Sequence, residues 1–199
     1  VKVPLAITHE QRLRAARRPL HDFLAQVKTG LGSRLGPLVV QLPPSFDFEV
    51  RPVRRFLGVL RELFDGAVAL EARHRSWFID RAEALLDTHH VARIAADPAV
   101  VPEAAFPGGW RGLAYFRLHG SPRMYWSVYG EEGIAHWQQA LDRMPRTTPT
   151  WCIFDNTASG GAMADALRLQ RRLASGLRQL PTPSSTSTPS TRKMAAATP

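Results

Sequence analysis

Residues 66–77 read Gly-Ala-Val-Ala-Leu-Glu-Ala-Arg-His-Arg-Ser-Trp, and they narrow the fold more than any other stretch. The start is an apolar strand and the end is a dense group of charge, imidazole and indole. Side chains on a strand alternate between faces. Ala67, Ala69, Glu71 and Arg73 therefore share one face, and Val68, Leu70 and Ala72 share the other. The greasy face suits a covering helix. The face of small residues ends in a carboxylate and a guanidinium, the profile of a barrel strand whose last inward residues line a pocket.

The same unit recurs along the chain. Residues 1–4 read as the end of a strand. Residues 8–31 read as helical, with Thr8 and Gln11 at capping-box spacing and Pro19 dividing the helix in two. A strand over 38–42 stops at Pro43-Pro44. Asp47 and Pro52 precede an amphipathic helix with Val53, Phe56, Leu57, Leu60 and Phe64 on one face. A helix over 79–89 buries Ile79, Ala82, Leu85 and Leu86, and a strand over 91–97 follows. Residues 98–110 form a loop, 112–120 a strand, 121–130 an aromatic loop and 131–144 a helix. The last strand is 150–156, and Gly160-Gly161 opens a final helix over 162–177. Strands alternating with helices imply a parallel α/β sheet, whose ligands bind at the carboxyl ends of the strands.

With 199 residues, the chain is long enough for one domain with a real core. We place that domain at 1–180, followed by a disordered Ser/Thr/Pro-rich tail at 181–199. Net charge is +9, yet Lys2, Lys28 and Lys193 are the only lysines, so the base is scattered arginine. Solvated helix faces account for Arg12, Arg14, Arg17, Arg18, Arg168, Arg171 and Arg172. Cys152 is the single cysteine, which excludes a disulfide within the chain. It sits in an apolar strand as a core thiol. No run is long enough for a membrane span, and no signal peptide is recognisable, so a cytoplasmic location is expected.

Parity assigns the inward residues of each strand. They are Lys2 on the first fragment, Val39 and Gln41 on the second strand, and Glu71 and Arg73 on the third. Arg93, Ala95 and Asp97 follow, then Tyr115, Arg117 and His119, and finally Cys152, Phe154 and Asn156. Asp155 falls on the helix side. The expected mouth collects Lys2, Gln41, Glu71, Arg73, Asp97, Arg117, His119 and Asn156, with His74 at its rim.

A succession of motifs carries a resemblance. Val-Lys-Val-Pro at 1–4 is followed by Leu-Gly-Pro at 35–37 and Gln-Leu-Pro-Pro-Ser-Phe at 41–46. Glu-Ala-Arg-His-Arg-Ser-Trp stands at 71–77 and Ile-Ala-Ala-Asp at 94–97. Tyr-Phe-Arg-Leu-His-Gly stands at 115–120, and Phe-Asp-Asn at 154–156 precedes Gly-Gly-Ala at 160–162. In this order they resemble the YecE-like family, catalogued as domain of unknown function 72. The resemblance implies a TIM-type (β/α) barrel and a site at its mouth, but no reaction. Against the family pattern this chain begins at the third strand, so an incomplete barrel of about six parallel strands is expected, either cut short or a non-functional copy.

Three chemistries fit the expected mouth. An anionic small molecule would be gripped by Lys2, Arg73 and Arg117, with Gln41 and Asn156 beside them. Gly160 and Gly161 at a helix start would receive a phosphate. Glu71 and His119 would form the acid/base pair, oriented by Asp97. A metal-dependent hydrolase would instead use Glu71, Asp97, His74 and His119 as ligands. Nucleic-acid binding would use Trp110, Tyr125, Trp126 and Tyr129 for stacking and Arg111 and Arg123 for phosphates. The residues name no cofactor and no oligomeric state.

Overall fold

The computed structural model describes residues 1–178; the tail at 181–199 lies outside the described residues. Parallel strands follow one another in chain order, each laid beside its predecessor. They are β1 (Leu38–Gln41), β2 (Val68–Glu71), β3 (Val91–Arg93) with its continuation β4 (Ala95–Asp97), β6 (Ala114–Leu118) and β7 (Thr150–Phe154). Ahead of β1, Lys2 makes a parallel bridge to Val39, so residues 1–3 extend the sheet by one strand position. Ile94 joins β3 to β4 and stays in the ladder, donating its N–H to Leu70 O at 2.9 Å. Among the described residues, β7 pairs only with β6 and the Lys2 segment only with β1. The order is that of an open α/β arc.

Helices supply the crossovers. α1 (Arg17–Leu31) precedes β1, and α2 (Val50–Leu63) joins β1 to β2. α3 (Asp80–Thr88) joins β2 to β3, α4 (Gly130–Asp142) joins β6 to β7, and α5 (Gly161–Arg178) follows β7. α2 buries Val53, Phe56, Leu57 and Leu60. These meet the outward residues Val68 and Leu70 in one apolar layer, and each such side chain contributes about 1.5–3 kcal/mol on burial. The inward layer is separate and consists of Val39, Ala69, Ala92, Ile94, Leu113 and Tyr115.

Parity therefore holds for β1, β2 and β6 and is reversed on two strands. Ala92 and Ile94 point inward. Arg93 points outward, where it pairs with Glu83 of α3 and lies 4.7 Å over the Phe78 ring. Ala95 joins Phe116, Leu118 and Trp137 in an outer layer that also packs Cys152 and Phe154, while Ile153 packs inward.

Two segments also depart from expectation. Residues 8–31 are not a helix divided at Pro19. A wide turn at Ala6–Glu10 ends in left-handed backbone at Arg12, Leu13 and Ala15, and α1 starts beyond it. Thr8 donates to Pro4 O instead of capping a helix. Pro19 sits in the first turn of α1, where its missing N–H costs nothing. The loop at 98–110 contains a short helical turn at Pro102–Ala105 and the two-residue β5 (Gly108–Gly109), antiparallel to β3. Gly109 has φ +60°, and a Cβ there would lie 2.6 Å from Val91 O, so the close approach of β5 needs glycine. Ile79 is exposed because α3 begins after it.

The amino ends of the strands are closed by Arg61. From the last turn of α2 it donates to the carbonyls of His89, Gly66 and His90 at 2.7 Å each, and to Phe64 O at 3.2 Å. One guanidinium thereby ties α2 to the start of β2 and the turn before β3. Burial pulls its pKa down.

Candidate functional site

At the opposite end, β2 finishes on Glu71, whose side chain is 1% exposed. A buried carboxylate is costly unless several partners compensate it. Arg73 Nε donates to Oε1 at 2.9 Å, Arg117 Nη1 to Oε2, and His119 Nε2 lies 3.3 Å from Oε1. Burial alone would raise the Glu71 pKa. The His119 hydrogen bond and the charges of Arg117 and Arg73 outweigh it and lower the pKa from 4.5 to about 2. Glu71 is thus a fixed negative charge.

Arg117 is the bridge of the cluster. Its Nη1 goes to Glu71 and its Nη2 to Asp155 Oδ2. His119 stands between the same two acids. Its Nδ1 lies 3.1 Å from Asp155 Oδ2, without the geometry of a hydrogen bond, and is a buried nitrogen left without a partner. Both ring nitrogens of a buried imidazole thus face carboxylates, one bonded and one not.

The rim carries further positive charge. Lys2 Nζ reaches the neutral Gln41 amide oxygen at 3.2 Å. His9, which we did not expect at the site, is held less basic first by burial and then by Arg73 and Lys2. Tyr125 lies edge-on to His119, centroids 5.5 Å apart, with its phenol close enough to act on Arg73. The arginine is held more firmly charged: Glu71 and this phenol outweigh its burial. Tyr125 has φ +68° and donates its N–H to His119 O, so the loop folds back over the mouth.

The expected set divides. Lys2, Gln41, Glu71, Arg73, Arg117 and His119 come together. Asp97 does not, because β4 turns its side chain toward α4. It accepts from Tyr129 Oη at 2.6 Å, and the same phenol accepts from Gly120 N at 2.8 Å. Burial and Asp97 push the Tyr129 phenol pKa up. Asn156 is buried in another network, donating to Ser127 O at 3.0 Å and to Asp165 Oδ2 at 2.8 Å. Its neighbour Asp155, assigned to the helix side, is the residue that enters the site. The reversal on β7 is one of anchor: Trp151 pairs with Tyr115 and Ile153 with Arg117, so Asp155 continues the inward row. Gly161 begins α5 and is buried against Val128, while Gly160 is exposed with φ +77°. The buried Asp165 carboxylate lies in the second turn of that helix.

His74 caps the short turn at Arg75–Trp77 through Ser76 and does not reach Glu71. Among the described residues, no group of three His, Cys, Asp or Glu side chains could hold a metal ion, so the ligand set Glu71, Asp97, His74 and His119 does not assemble. The four aromatics separate as well. Tyr125 and Trp126 are exposed, with Arg123 4.5 Å over the Trp126 ring. Tyr129 is tied to Asp97, and Trp110 packs on His90 at the other end of the strands. Trp77 is fully buried and donates to Phe46 O, as a core residue. Burial pushes the Cys152 thiol up to about 12, in keeping with an inert core cysteine. Among the described residues, no helix is long and apolar enough to cross a membrane.

An open parallel arc with an arginine-bound carboxylate at its carboxyl end defines an α/β protein of a recognisable kind. The chain belongs to the family described as protein of unknown function DUF72, whose model matches residues 1–191. A DUF72 family protein from Thermotoga maritima superposes with a TM-score of 0.74 at 26% identity, over 87% of this chain and 72% of that one. Two structures of a DUF72 family protein from Enterococcus faecalis superpose with TM-scores of 0.72 and 0.71. Their identities are 21% and 24%, over 87% of this chain and 73% and 76% of theirs, and they speak to the fold alone. No curated protein matches the chain.

Proposed function

We propose that the carboxyl-terminal mouth binds a small anionic or phosphate-bearing molecule. One observation carries this reading. Two carboxylates, Glu71 and Asp155, face three fixed cations, Lys2, Arg73 and Arg117, and among the described residues Lys2 makes its only polar contact with a neutral amide. A surplus cation at a half-enclosed rim is the electrostatic counterpart of an anion. Arg73 spends its Nε on Glu71 and its side chain is 22% exposed, so a carboxylate or phosphate can be gripped between it and Lys2.

The acid/base chemistry of this reading falls to His119. Glu71, at about 2, stays ionised and is a poor proton carrier near neutral pH. Glu71 then orients the imidazole through Nε2 and Asp155 faces Nδ1, while Asp97 acts on the wall through Tyr129 and not on the proton. The sequential parallel order and separate inner layer support a TIM-type barrel as the parent architecture, in which polar residues at this end serve ligands.

The test is a thermal-shift titration with inorganic phosphate and phosphorylated small molecules. A ligand that binds only the folded state raises Tm with concentration. Arg73→Gln and Lys2→Gln, both at the accessible rim, should abolish the rise while leaving far-UV circular dichroism unchanged. An equal rise in wild type and both variants refutes the assignment.

A further inference from the structure

A second cationic site lies on the outer wall, apart from the mouth. A groove of about 880 Å³ runs between the segment leading into α1 and the first turns of α2. Arg14, Arg17 and Arg18 line one side and Arg51 and Arg55 the other, and no acidic residue lines it. All five are exposed. Arg17 pairs with Glu62, and Arg18 lies 3.9 Å from Asp22. Among the described residues, Arg14, Arg51 and Arg55 have no ion pair. The floor is apolar, with partly exposed Pro52 and Val59 above the buried Leu13, Ala16 and Phe56.

Like charges on facing walls repel, and nothing in the fold requires five of them there. In the sequence, three of these arginines stand near the start of one helix and two at the start of another, and each group alone looks like a solvated face. The chain brings the groups together. Left-handed backbone at Leu13 and Ala15 (φ +64° and +49°) turns Arg14 into the groove, although such conformations cost an ordinary residue about 1 kcal/mol each. The turn is held from elsewhere: Leu13 N–H donates to Ile7 O, and Arg12 donates to Ser45 O and stacks on Phe46.

We infer that this groove binds a compact polyphosphate carrying a flat apolar group, the chemistry of a nucleoside polyphosphate. Three unpaired guanidinium groups and two partly neutralised ones match the several charges of a phosphate chain, which arginine grips with paired hydrogen bonds. The apolar floor takes the ring. The volume falls in the range of small-molecule pockets, about 300–1,000 Å³, and the groove is concave, unlike a flat track for a polymer.

Isothermal titration of the full chain with ATP in the presence of chelator tests this, with inorganic tripolyphosphate, adenosine and a single-stranded oligonucleotide as comparisons. Saturable ATP binding is expected, weaker binding of tripolyphosphate, and none of adenosine. The double variant Arg51→Gln/Arg55→Gln should weaken ATP at least about tenfold, since each lost charged pair is worth a large share of that factor. Arg14→Gln should move in the same direction, and Arg81→Gln on the exposed side of α3, outside both sites, should leave ATP binding within about twofold of wild type. The inference is overturned by any of three results: tripolyphosphate binding as tightly as ATP, both groove variants binding like wild type, or the oligonucleotide displacing ATP with higher affinity.

Discussion

Arg61 and Arg117 occupy opposite ends of the same sheet and spend their charge in opposite ways. Arg61 gives its hydrogen bonds to four main-chain carbonyls and forms no ion pair among the described residues. Arg117 gives both terminal nitrogens to acids. The amino end is therefore saturated: its cation satisfies carbonyls that would otherwise be stranded. The carboxyl end is built around a buried carboxylate and retains unused capacity, the His119 Nδ1 atom and the Lys2 charge. The first arrangement stabilises and the second can respond to a ligand.

The largest expected effect breaks the carboxyl end. Glu71→Ala leaves two guanidinium groups without their shared partner and should cost about 3–5 kcal/mol in denaturant unfolding. A loss below about 1 kcal/mol would mean that the cluster is solvated and the contrast false. The pH dependence follows from the same group. The folded pKa of Glu71, about 2, is depressed below the ordinary 4.5. Its stabilisation is thus complete above the unfolded value and lost as pH falls from 4.5 through 2. About 3 kcal/mol should disappear across that window, and Glu71→Gln should flatten the dependence. Arg61→Ala should cost about 2 kcal/mol without changing anion binding at the mouth. Arg61→Lys should recover little, because an ammonium cannot serve four carbonyls. The smallest effect is Tyr129→Phe, about 1 kcal/mol. It releases Asp97 and the Gly120 N–H, and should also leave the mouth's affinity intact; a changed affinity would return Asp97 to the site.

Much of this contrast was legible in the sequence where one strand face is plainly greasy and the other small or polar. On β2 and β6 that difference orients Glu71, Arg73, Arg117 and His119 correctly. It fails where both faces are apolar, as in strands covered on both sides. In residues 150–154 nothing in the alternation has a sign, and anchoring it on Asn156 placed Asp155 on the wrong face. Only pairing with β6 reveals the row Trp151, Ile153, Asp155. On β3 and β4 the alternation alone makes the terminal charge of Asp97 read as a mouth residue. Glu83, on the preceding helix face, was the available sign that Arg93 points outward. His9 had no sequence signal, because left-handed backbone at non-glycine residues ends the turn that carries it, and Tyr125 stood out as an aromatic of the loop without any sign that φ +68° folds it over the mouth.

Side-chain nitrogen NMR during a phosphate titration compares the two ends in one sample. The account predicts that His119 and the Arg73 Nε signal shift together and saturably, while Arg61 Nε stays fixed. An Arg61 signal that moves as much as Arg73, or a His119 and Arg73 pair that does not move at all, would contradict it.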